Sequence, residues 1–370
     1  MTITIAGDFT TTYRGLNAIE RGDAFSKEIV ALLKNSDLSI VNLESPVAEG
    51  VCKPIEKVGP NLRTNRNAIK YLKESGVDVV TLANNHFFDY GEEGVRQTIE
   101  SLIDNDIQYV GGGRTEEEKR KVLYVGNDEN SVAILNYCEA EFSVRNGGGS
   151  NHIDPICVYH DIQEVKLKAS FVIVITHGGH EGYNLPSPRM QELCRFFIDA
   201  GANIVVNHHQ HCYSGFEDYH MGKIFYGLGN FFFDEPSDAD KLWTEGFMLQ
   251  LILDKSGVFT TKSLPYVQCT KDKAVVRLMN EDKCLEFNDS IDSLNSIIVD
   301  NNLLEKMFAE YAKSKKENYR IIFSPYSNRY IKALCKRGFI PSFFTNRRKM
   351  CALNDIRCEA HRDLLIESLK

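Results

Sequence analysis

The stretch that decides the fold is IVVNHHQH, residues 204–211. Its β-branched start predicts a buried strand over residues 204–207. Polar residues follow at once, and three of them are histidines: His208, His209 and His211. Three imidazoles within four positions have few structural uses. The segment therefore predicts a ligand site at the end of a strand.

The same pattern, a predicted strand that is followed directly by polar residues, recurs through the first two thirds of the chain. Short β-branched runs alternate with amphipathic segments, which predicts an α/β protein. From residue 223 to residue 266 strand follows strand, which predicts a mixed or antiparallel sheet that closes the domain. The predicted strands are 2–6, 38–43, 77–82, 122–125, 132–136, 171–176, 204–207, 224–228, 247–253 and 258–264, and the predicted helices of this part are 23–35, 67–75, 93–105 and 187–200.

Residues that can bind metal follow several of these strands. Because the carboxyl ends of parallel strands meet at one edge of a sheet, we expect their side chains to converge. Carboxylate, amide and imidazole ligands suit Mn, Fe, Zn or Ni, and they could hold two ions roughly 3.5 to 4 Å apart. Six of the ten histidines lie in these strand ends, which are Gly7-Asp8, Asn42-Leu43-Glu44, Asn84-Asn85-His86, Thr176 to Glu181 and Asn207 to His211.

Composition narrows the class of protein. The 370 residues include 43 Lys and Arg and 51 Asp and Glu, so the net charge is −8. This negative charge argues against a protein that binds nucleic acid over most of its surface. The ten cysteines form no Cys-x-x-Cys pair, so no zinc ribbon is indicated. No run approaches the ~18 apolar residues that span a bilayer, and no leader is visible. These features predict a cytoplasmic protein, peripheral to any membrane it contacts.

The chain beyond residue 268 has a different character. Its polar, helical pattern predicts two domains, 1–268 and a helical extension over 269–370. Residues 313–349 carry a net charge of +10 with aromatic residues interleaved. This segment could bind a polyanion, an anionic membrane or a partner protein. Solvated helix faces around a small aromatic core would give the same pattern.

Several segments together resemble the CapA family of capsule and poly-gamma-glutamate biosynthesis proteins, within the calcineurin-like metallophosphoesterases. They are NLESP at 42–46, LANNHFFDYG at 82–91, YVGGG at 109–113, the strand end at 204–211 and GLGNF at 227–231. The resemblance covers about residues 3–234. It implies a layered α/β sandwich with mixed sheets, the calcineurin-like metallophosphatase fold, followed here by the helical extension. It also implies a hydrolase with two divalent metal ions.

The resemblance implies a role for individual residues. The metal ligands would be Asp8, Glu44, Asn85, His177, His209 and His211, with Glu44 as the bridging carboxylate. His86 would face the substrate and either stabilise the leaving oxygen or supply its proton. Further catalytic or supporting candidates are Asp89, His180 and Glu181, and candidates for binding an anionic substrate are Lys57, Arg63 and His208.

The sequence departs from the superfamily pattern at the first metal position. Thr10 stands where the superfamily usually has a histidine, and Glu44 replaces an aspartate. Thr10 is a poor ligand for a transition metal, so the first site is expected to be weak, exchangeable or empty. The leading hypothesis is a phosphoesterase that acts with capsule-synthesis proteins on an anionic molecule or surface polymer. The alternatives are a non-catalytic polyanion-binding or assembly protein with a vestigial site, and an amide-forming or amide-cleaving component.

Overall fold

A computed structural model describes residues 1–126, 131–235, 241–254, 258–323, 325–326, 328–341 and 343–368. It divides into two compact units, Met1–Leu304 and Glu305–Lys370. The strands are β1 (Thr2–Thr10), β2 (Leu38–Leu43), β3 (Val79–Thr81), β4 (Gln108–Val110), β5 (Gly112–Gly113), β6 (Leu123–Val125), β7 (Val132–Cys138), β8 (Gly149–Ser150), β9 (Phe171–His177), β10 (Ile204–His208), β11 (Phe216–Tyr219), β12 (Gly222–Phe225), β13 (Asn230–Phe233), β14 (Glu245–Leu253), β15 (Phe259–Val267) and β16 (Arg277–Leu278).

Helices connect most of these strands and make up the C-terminal region. They are α1 (Arg14–Arg21), α2 (Lys27–Lys34), α3 (Arg66–Glu74), α4 (Gly91–Asp104), α5 (Glu116–Lys119), α6 (Pro155–Val165), α7 (Pro188–Ala200), α8 (Lys241–Thr244), α9 (Glu281–Val299), α10 (Asn301–Ile322), α11 (Arg329–Lys336), α12 (Asn346–Arg357) and α13 (Glu359–Ser368).

The strands of the first unit form two larger sheets and the small pair β5–β8. One sheet has the order β16-β15-β14-β1-β2-β3-β4, with β13 also paired to β1. Its strands β1 to β4 are parallel, while β14, β15 and β16 add antiparallel neighbours. The other sheet has the order β11-β12-β10-β9-β7-β6, with a parallel centre over β7, β9, β10 and β12.

Apolar residues bury the central strands. Every residue of β2, β7, β9 and β10 is buried, as expected of parallel strands covered on both faces. An aromatic group packs beneath β1, with the rings of Phe9 and Phe232 stacked at 5.7 Å and Phe25 edge-on to both. This packing fixes the carboxyl ends of the strands, where the polar side chains begin.

The predicted fold class is confirmed: mixed α/β sheets come first and a helical C-terminal region follows. The predicted boundary at residue 268 stays a prediction. In the structure α9 packs within the first unit, because the ring of Phe287 lies 4.5 Å from that of Tyr213 and Asn295 accepts a hydrogen bond from the backbone of Phe216. No strand was predicted at β13 and no helix at α1 or α6, although Asp154 caps α6 just before a proline.

Candidate metal centre

The predicted ligands come together in the first unit, from both larger sheets. Asp8 lies in β1, Glu44 directly follows β2, and Asn85 lies in the loop after β3. His177 ends β9, and His209 and His211 follow β10. All of these side chains are buried. The carboxyl ends of strands from two sheets thus deliver one group of oxygen and nitrogen ligands.

Three of the predicted ligands form an amide and imidazole group, which we call the Asn85 group. His177 Nε2 lies 3.0 Å from Asn85 Oδ1 and 3.1 Å from His209 Nδ1. Two ring nitrogens and an amide oxygen that face one another at these distances are an arrangement that suits a cation of the Zn, Mn or Fe class.

A second cluster contains the two predicted carboxylates and one histidine, and we call it the Asp8 group. His211 Nε2 lies 3.5 Å from Glu44 Oε1, and His211 Nδ1 lies 3.5 Å from Asp8 Oδ2. Ligand atoms of Asp8, Glu44 and His211 all lie within 4.8 Å of one another. This set of oxygen and nitrogen donors, without a thiolate, fits a hard or borderline divalent cation.

Glu44 lies between the two groups. Its Oε1 is 3.5 Å from His211 Nε2 and 4.0 Å from His177 Nε2. The side chain is fully buried, yet neither carboxylate oxygen has a hydrogen-bond partner in the described part of the chain. An unpaired buried carboxylate is energetically expensive, so its position next to both groups fits a site that holds cations.

Burial and neighbouring charges shift the pKa values of these groups. Burial raises the pKa of Glu44 to about 8. Burial lowers the pKa of His209 to about 4 and holds that of His177 well below its usual range, so both rings are neutral, as metal ligands must be. For His211 burial opposes protonation, but the nearby Glu44 and Asp8 carboxylates outweigh it and raise the pKa. Although burial opposes it, contact with His211 and the charges of His208 and His177 keep the pKa of Asp8 low.

Two asparagines that the sequence analysis did not single out hold the ligands in place. Asn42 Nδ2 donates to Asp8 Oδ1 at 2.7 Å and lies 3.3 Å from His177 Nδ1. Asn230 Oδ1 lies 3.0 Å from His211 Nδ1, which leaves Nε2 of that ring to face Glu44. Both asparagines lie in the sequence segments that carried the family resemblance. Their presence in those segments was the sequence signal that could have identified them as functional residues.

The backbone around the histidines is unusual. His209 has φ 91° and His211 has φ 56°, values that non-glycine residues rarely adopt. The backbone N–H of His209 also points toward Asp8 Oδ2, at 3.3 Å. Strained backbone of this kind is concentrated at functional sites, where the surrounding structure enforces it.

His86 lies next to the Asn85 group with two charged partners. Its Nδ1 is 2.7 Å from Asp89 Oδ2 and 3.1 Å from Lys57 Nζ, and Lys57 and Asp89 also form an ion pair. The Lys57 side chain is only 3% exposed. Its predicted substrate-binding role stays a prediction. Arg63, in the same loop, is exposed.

The remaining candidates lie around the cluster. His208 is buried at the end of β10, with Nδ1 3.6 Å from Asp8 Oδ1. His180 is half-buried and Glu181 is exposed, both in the loop after β9. A carboxylate oxygen of Glu181 groups with ring nitrogens of His209 and His211 within 4.8 Å. Thr10 is buried and its hydroxyl donates to Ser45 Oγ at 2.7 Å.

Comparison with known families identifies the first unit. The chain matches the family described as bacterial capsule synthesis protein PGA_cap over residues 2–235, more than half of its length. The chain belongs to this family. The range matched to PGA_cap contains both the Asn85 group and the Asp8 group. Among the described residues of this PGA_cap chain, no helix is both long and apolar enough to cross a membrane.

Two curated relatives carry the resemblance further. Capsule biosynthesis protein CapA of Bacillus anthracis is 34% identical over 247 residues, which cover 64% of this chain and 60% of the relative. PGA biosynthesis protein CapA of Bacillus subtilis strain 168 is 32% identical over 244 residues, with 64% and 62% covered. The PGA_cap chain thus spans about three fifths of the length of these relatives. The resemblance to CapA proteins that the sequence motifs indicated is confirmed.

Two solved structures align with the chain at lower sequence identity. A phosphatase from Mycoplasma pneumoniae aligns with a TM-score of 0.46 and 16% identity over 78% of this chain and 98% of its own. A 5′-nucleotidase from Candida albicans SC5314 aligns with a TM-score of 0.41 and 11% identity over 85% of this chain and 58% of its own.

Proposed function

We propose that this chain is a metal-dependent hydrolase, with phosphoesters as the favoured substrate class, that serves the synthesis or processing of a capsule or of poly-gamma-glutamate. The carboxylate of Glu44 is the observation that carries the proposal. It is buried without a hydrogen-bond partner between two groups of nitrogen and oxygen ligands, and paired cations would satisfy it. The family and its CapA relatives support the biological setting.

The two groups divide the ligands between two cations. Asn85, His177 and His209 would hold one, Asp8 and His211 would hold the other, and Glu44 would reach both. When bound, such cations supply Lewis-acid polarisation of the scissile group. Asn42 and Asn230 keep the ligand side chains oriented, as partners of metal ligands commonly do.

His86 is suited to moving a proton at the substrate. Asp89 holds its Nδ1, which leaves Nε2 for a substrate oxygen. Burial lowers the pKa of His86 more than Asp89 raises it, so the protonated ring is a stronger acid than a free imidazole. Protonation of the leaving oxygen by Nε2 would serve phosphoester hydrolysis, and protonation of the leaving nitrogen by the same atom would serve amide cleavage, which is the runner-up reaction.

Metal analysis and turnover on matched variants test this proposal. The protein purified without chelator is analysed for Mn, Fe, Zn and Ni, and hydrolysis of a chromogenic phosphoester is followed with each ion added. We expect near two metal equivalents in the native protein, with His209→Ala losing at least one equivalent and the activity. His160→Ala, at an exposed position on α6, is the control and should retain both. A metal-free native protein without activity under all four ions would overturn the proposal.

A polymer-binding role is the second candidate, and it is favoured by the second unit. Residues 313–349 carry a charge of +10. Aromatic side chains in the same segment are exposed, among them Tyr330 at 65% and Phe339 at 74%. A basic surface with exposed aromatic groups can hold an anionic polymer without catalysis. A protein that binds such a polymer but contains no metal would favour this candidate over the hydrolase.

A further inference from the structure

The Asp8 group is short of ligands. Asp8, Glu44 and His211 offer it three side chains, whereas a divalent transition metal takes four or more ligands. Thr10 follows Asp8 by two positions on the same strand, but its hydroxyl is engaged with Ser45. A further ligand must therefore come from another part of the chain, from solvent or from substrate.

We propose that Glu181 supplies this ligand, as a carboxylate that binds the cation of the Asp8 group from the solvent side. A Glu181 carboxylate oxygen and ring nitrogens of His209 and His211 lie within 4.8 Å of one another. His211 belongs to both triads, so the Glu181 carboxylate lies beside the Asp8 group. This inference rests on the proposed function, because it concerns the same metal centre.

The carboxylate of Glu44 has no hydrogen-bond partner in the described residues. This is an independent observation, and it indicates that a cation binds at this position. Glu44 is fully buried, neither of its carboxylate oxygens has a hydrogen-bond partner in the described residues, and Oε1 faces His211 Nε2 at 3.5 Å. A cation that pairs with Glu44 and His211 would contact the histidine that both triads share. Glu181 is then positioned to complete its coordination.

The backbone fixes Glu181 to the histidine segment. Gly182 N donates to the carbonyl oxygen of Gln210 at 2.8 Å, and Gln210 stands between His209 and His211. On the other side, Gly179 N donates to Glu139 Oε2 at 2.8 Å. Both glycines have positive φ, 103° at Gly179 and 69° at Gly182, so the short loop turns twice around Glu181. The hydrogen bond from Gly182 therefore ties the residue next to Glu181 to the histidine segment, and the bond from Gly179 anchors the start of the loop to Glu139.

The exposure of Glu181 gives it a distinct chemical role. The ligands of the Asp8 group are buried, whereas Glu181 is exposed. A ligand on the open side can leave the cation when an anionic substrate oxygen arrives, while the buried ligands keep the ion in place. Glu181 would thus raise affinity for the metal in the resting protein and mark the coordination position that substrate takes.

Cobalt titration tests the role of Glu181 without any measurement of activity. Metal-free protein is titrated with Co²⁺, with affinity measured by calorimetry and coordination number by the visible absorption of the bound ion. Native protein, Glu181→Gln, Glu181→Asp and His211→Ala are compared. Glu192→Gln, an exposed glutamate on α7, is the matched control. Thermal melts of each metal-free variant check that the substitution leaves the fold intact.

We expect Glu181→Gln to weaken one class of Co²⁺ site at least about tenfold and to change its visible spectrum, with Glu181→Asp in between and Glu192→Gln unchanged. Native-like affinity and spectrum in Glu181→Gln, together with weakened binding in His211→Ala, would overturn this inference and leave the proposed function standing. Native protein that binds no Co²⁺ would overturn both.

Discussion

At the scale of single residues, Lys57 is the ion partner of a buried carboxylate. Asp89 is fully buried, and it accepts hydrogen bonds from the backbone of Leu62 at 2.7 Å and contacts His86 Nδ1. Lys57→Met keeps the length of the side chain but removes the charge that pairs with Asp89. Loss of one partner from a buried pair costs about 3 to 5 kcal/mol. We expect the free energy of unfolding, measured by urea denaturation of the metal-free protein, to fall by about that amount.

Lys53→Met is the matched control for this prediction. Lys53 is exposed in the same loop, and surface substitutions of this kind change stability by less than about 0.5 kcal/mol. Equal urea midpoints for Lys57→Met and Lys53→Met would show that the buried pair contributes nothing to stability.

Protonation of Glu44 and His211 predicts how metal uptake depends on pH. Burial raises the pKa of Glu44 to about 8, and the Glu44 and Asp8 carboxylates raise that of His211 against the effect of burial. At neutral pH the metal-free pair therefore holds protons that ligands must release. Since binding releases protons, affinity for a divalent ion should rise as pH rises from about 6 to 8. Calorimetry in buffers of different ionisation enthalpy should show release of at least one proton per bound ion, and an affinity independent of pH would contradict this.

At the scale of the elements, the contact between β1 and β13 sets the position of Asp8. A Cβ atom added at Gly7 would lie 1.8 Å from the carbonyl oxygen of Gly229, and Asp8 N also faces that oxygen at 3.3 Å. The clash is with backbone, so Gly7→Ala must push the two strands apart. We expect a loss of about 3 kcal/mol of stability in urea denaturation, the upper end of the usual cost of overpacking, together with weaker metal binding by the Asp8 group.

Gly15→Ala on α1 distinguishes this clash from the general effect of an added methyl group. Its Cβ would meet a ring carbon of the buried Phe232 at 3.0 Å, so that ring must shift by far less than the Gly229 carbonyl would have to shift in Gly7→Ala. We therefore expect a smaller loss of stability than in Gly7→Ala, and native metal content, for Gly15→Ala. Similar losses in both variants would refute the role given to the β1–β13 contact.

The individual strands also show how much of the fold and of the site could be predicted from the sequence. The ends of β2, β9 and β10 were predicted to within one residue because β-branched runs stop where polar ligands begin, whereas β1 continues past its predicted end at residue 6 to Thr10 and contains Asp8. The convergence of their side chains was also predictable, because the carboxyl ends of parallel strands meet at one edge of a sheet. The short strand β13, with its run of phenylalanines, gave no alternating pattern, so the contact of Asn230 with His211 was missed. The pairing of Lys57 with Asp89 depends on how a loop folds back, which residue spacing does not encode.

At the scale of the whole molecule, charge is divided unevenly along the chain. The net charge is −8, yet residues 313–349 alone carry +10. A polymer of glutamate should therefore bind this chain through the basic segment, and binding should weaken as salt screens the charges. Arg347, Arg348 and Lys349 are exposed in α12, so their replacement together by glutamate reverses the local charge without opening a core.

Binding of poly-gamma-glutamate to the native protein and to the triple glutamate variant, measured across a salt series with neutral dextran as the control polymer, separates this surface from the metal centre. We expect the variant to lose most of the salt-dependent affinity and to keep its metal content, because the ligands lie within residues 8–211, far along the chain from α12. Unchanged polymer binding would remove the basic segment from the polymer-binding role. Loss of metal in the variant would show that the charge reversal disturbs the first unit as well.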